Sequence, residues 1–149
     1  MNYLLDTGIL LVYIRKSPVT LEINKLYDPL SSPNTPIISV VNIGEVKSLA
    51  IRNGWGKQKL LRLEEFLHQF LIADINVESV IQRYAEIDAF SQGKLPDRPL
   101  SVSSRNMGKN DLWIAATASV LQATLLTTDF DFNHLKDEFL MLKTIKTSF

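Results

Sequence analysis

Short apolar runs alternate with longer stretches whose apolar residues recur at helical spacing, and this alternation constrains the fold more than any other feature of the sequence. The predicted strands are residues 2–5, 36–40, 71–75, 123–127 and 139–145. The clearest predicted helices are the stretch after Asp6-Thr7-Gly8, residues 41–52 with Asn42 near the start, 60–70, 80–90 and the segment after Asn110-Asp111. Strands alternating with helices favour a three-layer α/β domain, in which helices flank a mainly parallel central sheet.

The length supports a single domain over residues 1–149, since two halves of a 149-residue chain would each have a small core. Sixteen Lys and Arg balance sixteen Asp and Glu, so the formal net charge is zero. This balance excludes a nucleic-acid binder that works by overall positive charge, and any RNA contact would need a local basic patch.

The scarcity of thiols and imidazoles narrows the chemistry further. The absence of cysteine excludes a disulfide scaffold, a thiolate zinc site and a cysteine nucleophile. The two histidines, His68 and His134, are isolated and are predicted to be solvated or capping residues. No basic residues precede the first apolar run, and Asp6 interrupts it, so we expect no secretory signal and a cytoplasmic location.

Four carboxylates stand where a parallel sheet places its ligands, at the carboxyl ends of strands. Asp6 ends the first strand, Glu45 lies early in the helix after the second, Asp111 opens a helix, and Asp129 ends a late strand. Clustered carboxylates repel one another, and a divalent cation would neutralise them. Hard oxygen ligands favour Mg²⁺ or Mn²⁺, which would activate water for attack on phosphorus.

Each acid taken alone has a simpler explanation. Asp111 and Asp129 could be helix caps, and Glu45 could be a solvated acid favoured by the helix dipole. Asp6 is harder to explain in this way, because an acid directly after a buried strand is neither core nor ordinary surface. The pair Asp129 and Asp131 also leaves open which of the two acids points inward.

These acids lie in four segments that resemble the successive motifs of PIN-domain nucleases, most closely the VapC-type toxins of bacterial toxin–antitoxin pairs. The segments are Leu4-Leu5-Asp6-Thr7, residues 38–45 from Ile38 to Glu45, residues 110–118 beginning Asn110-Asp111, and residues 125–132 containing Thr127-Thr128-Asp129. The resemblance extends over nearly the whole chain.

The resemblance implies a PIN-like fold and an endoribonuclease that depends on Mg²⁺ or Mn²⁺. It implies four catalytic acids, of which the first, third and fourth bind metal directly: Asp6, Glu45, Asp111 and Asp129. Thr127, and with it Ser39, would support the metal site or its water. It further implies a cytoplasmic homodimer, held inactive by an antitoxin protein whose segment lies across the active-site groove.

Residues 91–109 are predicted to form a long basic loop that leads into Asp111. Arg105 and Lys109 are therefore candidate phosphate contacts for RNA, because the chain must bring them close to the acidic site.

One position departs from the family pattern. The family commonly has Asn two residues after the first acid, and this chain has Gly8. A non-catalytic PIN-like binding module with weakened activity is therefore the alternative function. A more distant one is an aspartic protease, because Asp6-Thr7-Gly8 is also the signature of that class. Those proteases are all-β, whereas most of this sequence has helical periodicity.

Overall fold

The computed structural model describes residues 1–147, within which five strands form one parallel sheet. The strands are β1 (Asn2–Leu5), β2 (Thr35–Ser39), β3 (Leu71–Ala73), β4 (Thr124–Thr127) and β5 (Met141–Thr144). Their order across the sheet is β3-β2-β1-β4-β5, with every neighbouring pair parallel. The predicted α/β architecture is confirmed, and it is not the all-β fold that an Asp-Thr-Gly protease requires.

Six α-helices and one 3₁₀ helix connect the strands within residues 1–147. They are α1 (Thr7–Ile14), α2 (Val19–Leu26), α3 (Val40–Arg52), α4 (Lys57–Leu67), α5 (Glu78–Ser91), α6 (Lys109–Leu121) and the 3₁₀ helix (Phe130–Leu135). None of these helices is long and apolar enough to span a membrane.

The central strands are buried on both faces, which is typical of a parallel sheet covered by helices. Leu4 of β1 and Leu125 of β4 belong to the core that packs under α5 and α6. Their neighbours Leu5 and Leu126 belong to the opposite core, which packs under α1 and α4. All four leucines are fully buried, so the alternation along each strand separates two apolar layers.

The strand order creates a crevice between β1 and β4. The chain builds the sheet outward from β1 through β2 to β3, and then returns to place β4 on the other side of β1. Open parallel sheets bind ligands at such a switch point, outside the carboxyl ends of the strands. The segments that leave β1 and β4 at this edge carry Asp6 and Asp129.

Two local features differ from the sequence predictions. The helix after β2 begins at Val40 with Ser39 as its cap, so Asn42 is already in the first turn instead of starting the helix. Helix α2 was not predicted, although its buried residues Val19 and Ile23 stand four positions apart.

Candidate active site

The first acid, Asp6, is held by two hydrogen bonds directly after β1. Its Oδ1 accepts from the backbone N of Thr7 at 2.8 Å, so Asp6 caps α1. Its Oδ2 accepts from the Oγ1 of Thr127 at 2.8 Å. The residue is only 7% exposed, and Thr127 is fully buried at the end of β4. A carboxylate is therefore fixed at the crevice between the two central strands.

The same threonine positions the acid that follows β4. The backbone N of Asp129 donates to Thr127 Oγ1 at 3.0 Å, so one hydroxyl bridges Asp6 and the chain at Asp129. Asp129 Oδ1 accepts from the backbone N of Asp131 at 2.8 Å and caps the 3₁₀ helix. The capping explanation thus holds for Asp129, but it uses only one carboxylate oxygen. Asp131 itself is exposed.

The other two acids come from two helices, α3 and α6, that contact each other. Glu45 lies in the second turn of α3, and its Oε1 accepts from Thr7 Oγ1 at 2.8 Å. Asp111 is the third residue of α6, where Gly108 is the cap residue, so Asp111 is not a cap. Both residues are half-buried. The four predicted acids therefore meet at one edge of the sheet.

The proximity of the four acids contributes to raised pKa values of Asp6 and Asp111. Burial, and after it repulsion from neighbouring carboxylates, raises the pKa of Asp111 from 3.8 to about 7. Burial also raises the pKa of Asp6, although the hydrogen bonds from Thr127 and Thr7 act in the opposite direction. Within residues 1–147, none of these acids is in an ion pair with a basic side chain. The site therefore holds negative charge that the described chain does not neutralise.

The donor set fits a small divalent cation. In this arrangement no three Asp, Glu or His side chains among the described residues stand close enough together to bind one ion directly. Mg²⁺ commonly takes only one or two carboxylates and keeps several waters, so a looser set of hard oxygens suits it. A divalent cation would stabilise such a group of carboxylates, in which the pKa of Asp6 and of Asp111 is raised.

Two uncharged residues of the site were missed by the sequence analysis. Thr7 Oγ1, which donates to Glu45, accepts a hydrogen bond from Asn42 Nδ2 at 3.1 Å. The Oδ1 of the fully buried Asn42 accepts from the backbone N of Ser39 at 2.8 Å. Ser39 Oγ accepts from Val41 N, so Ser39 acts as a helix cap and reaches the acids only through this chain of contacts.

The predicted phosphate contacts lie beside the acids. Arg105 is half-buried, and its Nη1 donates to the backbone oxygen of Asp131 at 3.4 Å. Lys109 is exposed as the first residue of α6, two positions before Asp111. Neither is in an ion pair within the described part of the chain.

Both histidines were predicted to be solvated or capping residues. His68 is exposed at the end of α4, as predicted, whereas the prediction for His134 was wrong. His134 is half-buried, and its Nε2 lies 2.7 Å from the Oγ of the buried Ser91. Its ring is parallel to that of Phe90, with centroids 6.5 Å apart. Burial, followed by the charge of Arg105, lowers its pKa. His134 is therefore a structural contact between α5 and the 3₁₀ helix.

A parallel sheet with carboxylates gathered at the ends of β1 and β4 is the architecture of the PIN-like α/β fold. The chain belongs to the PIN domain family, whose model matches residues 3–138. PIN domains are nucleases, so the family belongs to the hydrolase class of enzymes. A comparison with curated proteins found no match.

Solved toxin–antitoxin structures share this fold. VapBC2 from Rickettsia felis, bound to a DNA fragment from its promoter, has 26% identity, a TM-score of 0.75, and coverage of 98% of this chain and 100% of that chain. VapBC-1 from nontypeable Haemophilus influenzae has 23% identity, a TM-score of 0.68, and coverage of 97% of this chain and 98% of that chain. FitAcB from Neisseria gonorrhoeae has 21% identity, a TM-score of 0.66, and coverage of 94% of this chain and 95% of that chain.

Proposed function

We infer that the chain is an endoribonuclease that depends on Mg²⁺ or Mn²⁺ and acts as the toxin of a toxin–antitoxin pair. The observation that carries this inference is the group of four carboxylates at the switch point of a PIN fold, with no basic partner in the described residues. Further support comes from the VapBC structures that share its fold.

The proposed roles follow from the burial and contacts of each acid. Asp6 and Asp129 would bind the metal, and Thr127 would keep both in place through its single hydroxyl. Asp111 would share the ion through a bound water, because no three acids of the described chain stand close enough to bind one ion directly, and it would orient the attacking water. Glu45 would act through water or a second ion, held by Thr7. The bound metal would lower the pKa of water and stabilise charge on the phosphate.

The partners in this proposal are single-stranded regions of RNA, a cognate antitoxin and a second copy of the chain, in the cytoplasm. Arg105 lines a cavity with Asp111, and Lys109 precedes Asp111 by two positions in α6, so we expect both to bind RNA phosphates. Light scattering of the purified protein, alone and with a co-expressed antitoxin, tests the homodimer and the complex separately.

Cleavage of total cellular RNA by the purified protein tests the activity. We expect cleavage with Mg²⁺ or Mn²⁺, no cleavage with chelator, and a loss of at least about a hundredfold in Asp111→Asn. Glu65→Gln, which removes an exposed acid of α4, is the matched control and is expected to cleave normally. Cleavage that survives in chelator, or in Asp111→Asn, would contradict the assignment.

Gly8 supports the alternative of a non-catalytic binding module. A Cβ built at this position would lie 2.3 Å from Thr128 Oγ1, so the space of the family's Asn is taken by a threonine. If the folded protein binds Mn²⁺ and an antitoxin without cutting RNA, the binding module is the better description.

A further inference from the structure

A small cavity opens beside the acids, and the proposed function does not use it. Its volume is about 230 Å³, and it is lined by residues 103–108 together with Asp111 and Asp131. This loop cavity shares the side chain of Asp111 with the candidate active site. A group bound there would lie next to the phosphate that the acids act on.

The walls of the loop cavity are fixed by contacts with the core. The backbone N of Arg105 donates to the backbone oxygen of Ser91 at 2.8 Å. Ser91 Oγ also donates to the Sδ of Met107 at 3.3 Å and bonds to His134. Met107 packs against the core under α5 and α6. The loop therefore has a defined position relative to Asp111.

The size and polarity of the loop cavity suit one heterocyclic ring. The volume equals that of roughly seven or eight water molecules, which is below the usual range for sites that enclose a complete drug-sized ligand. Ser104 and Asn106 are exposed on its wall, and neither side chain is hydrogen-bonded within residues 1–147. Hydroxyl and amide groups that remain available are the groups that read the edge of a base.

The two carboxylates of the walls disfavour a phosphate as the group inside. Asp111 and Asp131 both line the loop cavity and would repel a phosphate, whereas a neutral base is not repelled. The guanidinium of Arg105 lies at the same wall without a carboxylate partner among the described residues. Its charge is thus available to the phosphate that joins such a base to the cleavage site.

We propose that the loop cavity binds one nucleobase of single-stranded RNA beside the scissile phosphate, with Ser104 and Asn106 reading the edge of the base. The proposal rests on the proposed ribonuclease function and names the part of the chain that selects the cleavage site. Preference for one base at a single position next to the cut is its direct consequence.

Sequencing of the products from a pool of randomised single-stranded RNA tests this consequence. We expect the wild type to prefer one base at one flanking position by about tenfold, as one good hydrogen-bonded contact to a base provides. Ser104→Ala and Asn106→Ala should each reduce that preference several-fold. Ser101→Ala, an exposed serine of the same loop that does not line the loop cavity, should keep the wild-type profile. Unchanged profiles in both cavity variants would overturn the proposal and leave the ribonuclease function standing.

Binding of mononucleotides provides a second measurement that does not require cleavage. The four ribonucleoside 5′-monophosphates contain no phosphodiester bond, so they cannot be consumed. We expect one of them to shift the side-chain amide resonances of Asn106 in the ¹⁵N-labelled protein, and ribose 5-phosphate to leave these resonances in place. No shift from any nucleotide, or equal shifts from ribose 5-phosphate, would contradict a base site. A protein that binds one base but cuts no RNA would refute the proposed function alone.

Discussion

Glu45 is oriented by two uncharged side chains. Thr7 donates to it from the first turn of α1, and Asn42 donates to Thr7 from the turn that precedes Glu45 in α3. Asn42 is fully buried, and its side chain is held in place by the hydrogen bond from the backbone N of Ser39. Its amide group donates to the Thr7 hydroxyl oxygen, which fixes the orientation of that hydroxyl. The Thr7 proton is therefore left to point at Glu45. This chain of contacts would favour one orientation of the carboxylate over the several that a glutamate can adopt.

Thr7→Val removes the hydroxyl at nearly constant shape and tests this role. The backbone bond from residue 7 to Asp6 is kept, so α1 stays capped. We expect kcat for RNA cleavage to fall about tenfold, the effect of one lost hydrogen bond of roughly 1.4 kcal/mol. KM should change little if the bond acts only on the carboxylate.

Thr7→Ser is the matched control because it keeps the hydroxyl, and it should retain most of the wild-type kcat. Circular dichroism and thermal unfolding of both variants show whether the fold is intact. Equal kcat in Thr7→Val and wild type would remove Thr7 from the mechanism.

Elements were easier to predict from the sequence than the contacts between them. Each of the five strands was predicted within a few residues, because apolar runs between helical patterns are a local signal. The four acids lie near one another because the ends of parallel strands meet at one edge, and their role in a site stays a prediction. The roles of Thr7 and Asn42 depend instead on bonds between residues 38 and 35 positions apart. Ser91 and His134 are 43 apart, so no local pattern indicates their pairing.

The contact between α1 and the segment after β4 explains a departure from the family. Gly8 lies in the first turn of α1 and faces Thr128, whose Oγ1 would be 2.3 Å from an added Cβ. Gly8→Asn therefore forces the Thr128 side chain to rotate, and we expect a loss of about 1–2 kcal/mol in the free energy of unfolding. Thr128→Ala removes the obstructing oxygen and should make Gly8→Asn better tolerated.

A double-mutant cycle measured by urea unfolding checks this coupling, since residues in contact give non-additive effects. The expected interaction free energy restores at least about half of the stability lost in Gly8→Asn. Additive effects of the two substitutions would mean that Thr128 does not limit position 8.

The net charge of zero conceals an uneven distribution over the whole molecule. Acids from the segment after β1, from α3, from α6 and from the segment after β4 meet at one edge of the sheet, and their burial and mutual repulsion oppose folding. The candidate phosphate contacts Arg105 and Lys109 form no ion pair with these acids in residues 1–147. The unneutralised charge therefore lies where a cation would bind, and the binding of that ion would add stability.

The raised pKa of Asp111 predicts how the stability of the metal-free protein depends on pH. Asp111 has a pKa of about 7 in the folded protein and an ordinary value of 3.8, so the folded state binds the proton more tightly than the unfolded chain. The free energy of unfolding should therefore fall as the pH rises from about 4 to 7, and level off above that range. In Asp111→Asn the carboxylate is absent, so the variant should be more stable than wild type at pH 8 in chelator. Because the side chain is only half-buried, we expect a gain of about 1–2 kcal/mol, or roughly 3–6 °C in Tm.

Thermal unfolding in chelator at pH 5 and pH 8 measures both quantities. Asp6, whose pKa is also raised, remains in the variant, so a smaller dependence on pH should persist. Mn²⁺ added at pH 8 should raise the Tm of the wild type more than that of Asp111→Asn, because the ion neutralises the repulsion that the substitution has already relieved. Glu65→Gln, which lies outside the cluster, should follow the wild-type curve under every condition. A wild-type Tm that does not change between the two pH values, or a variant that is less stable than wild type at pH 8, would show that burial and the neighbouring carboxylates do not raise the pKa of Asp111 in the folded protein.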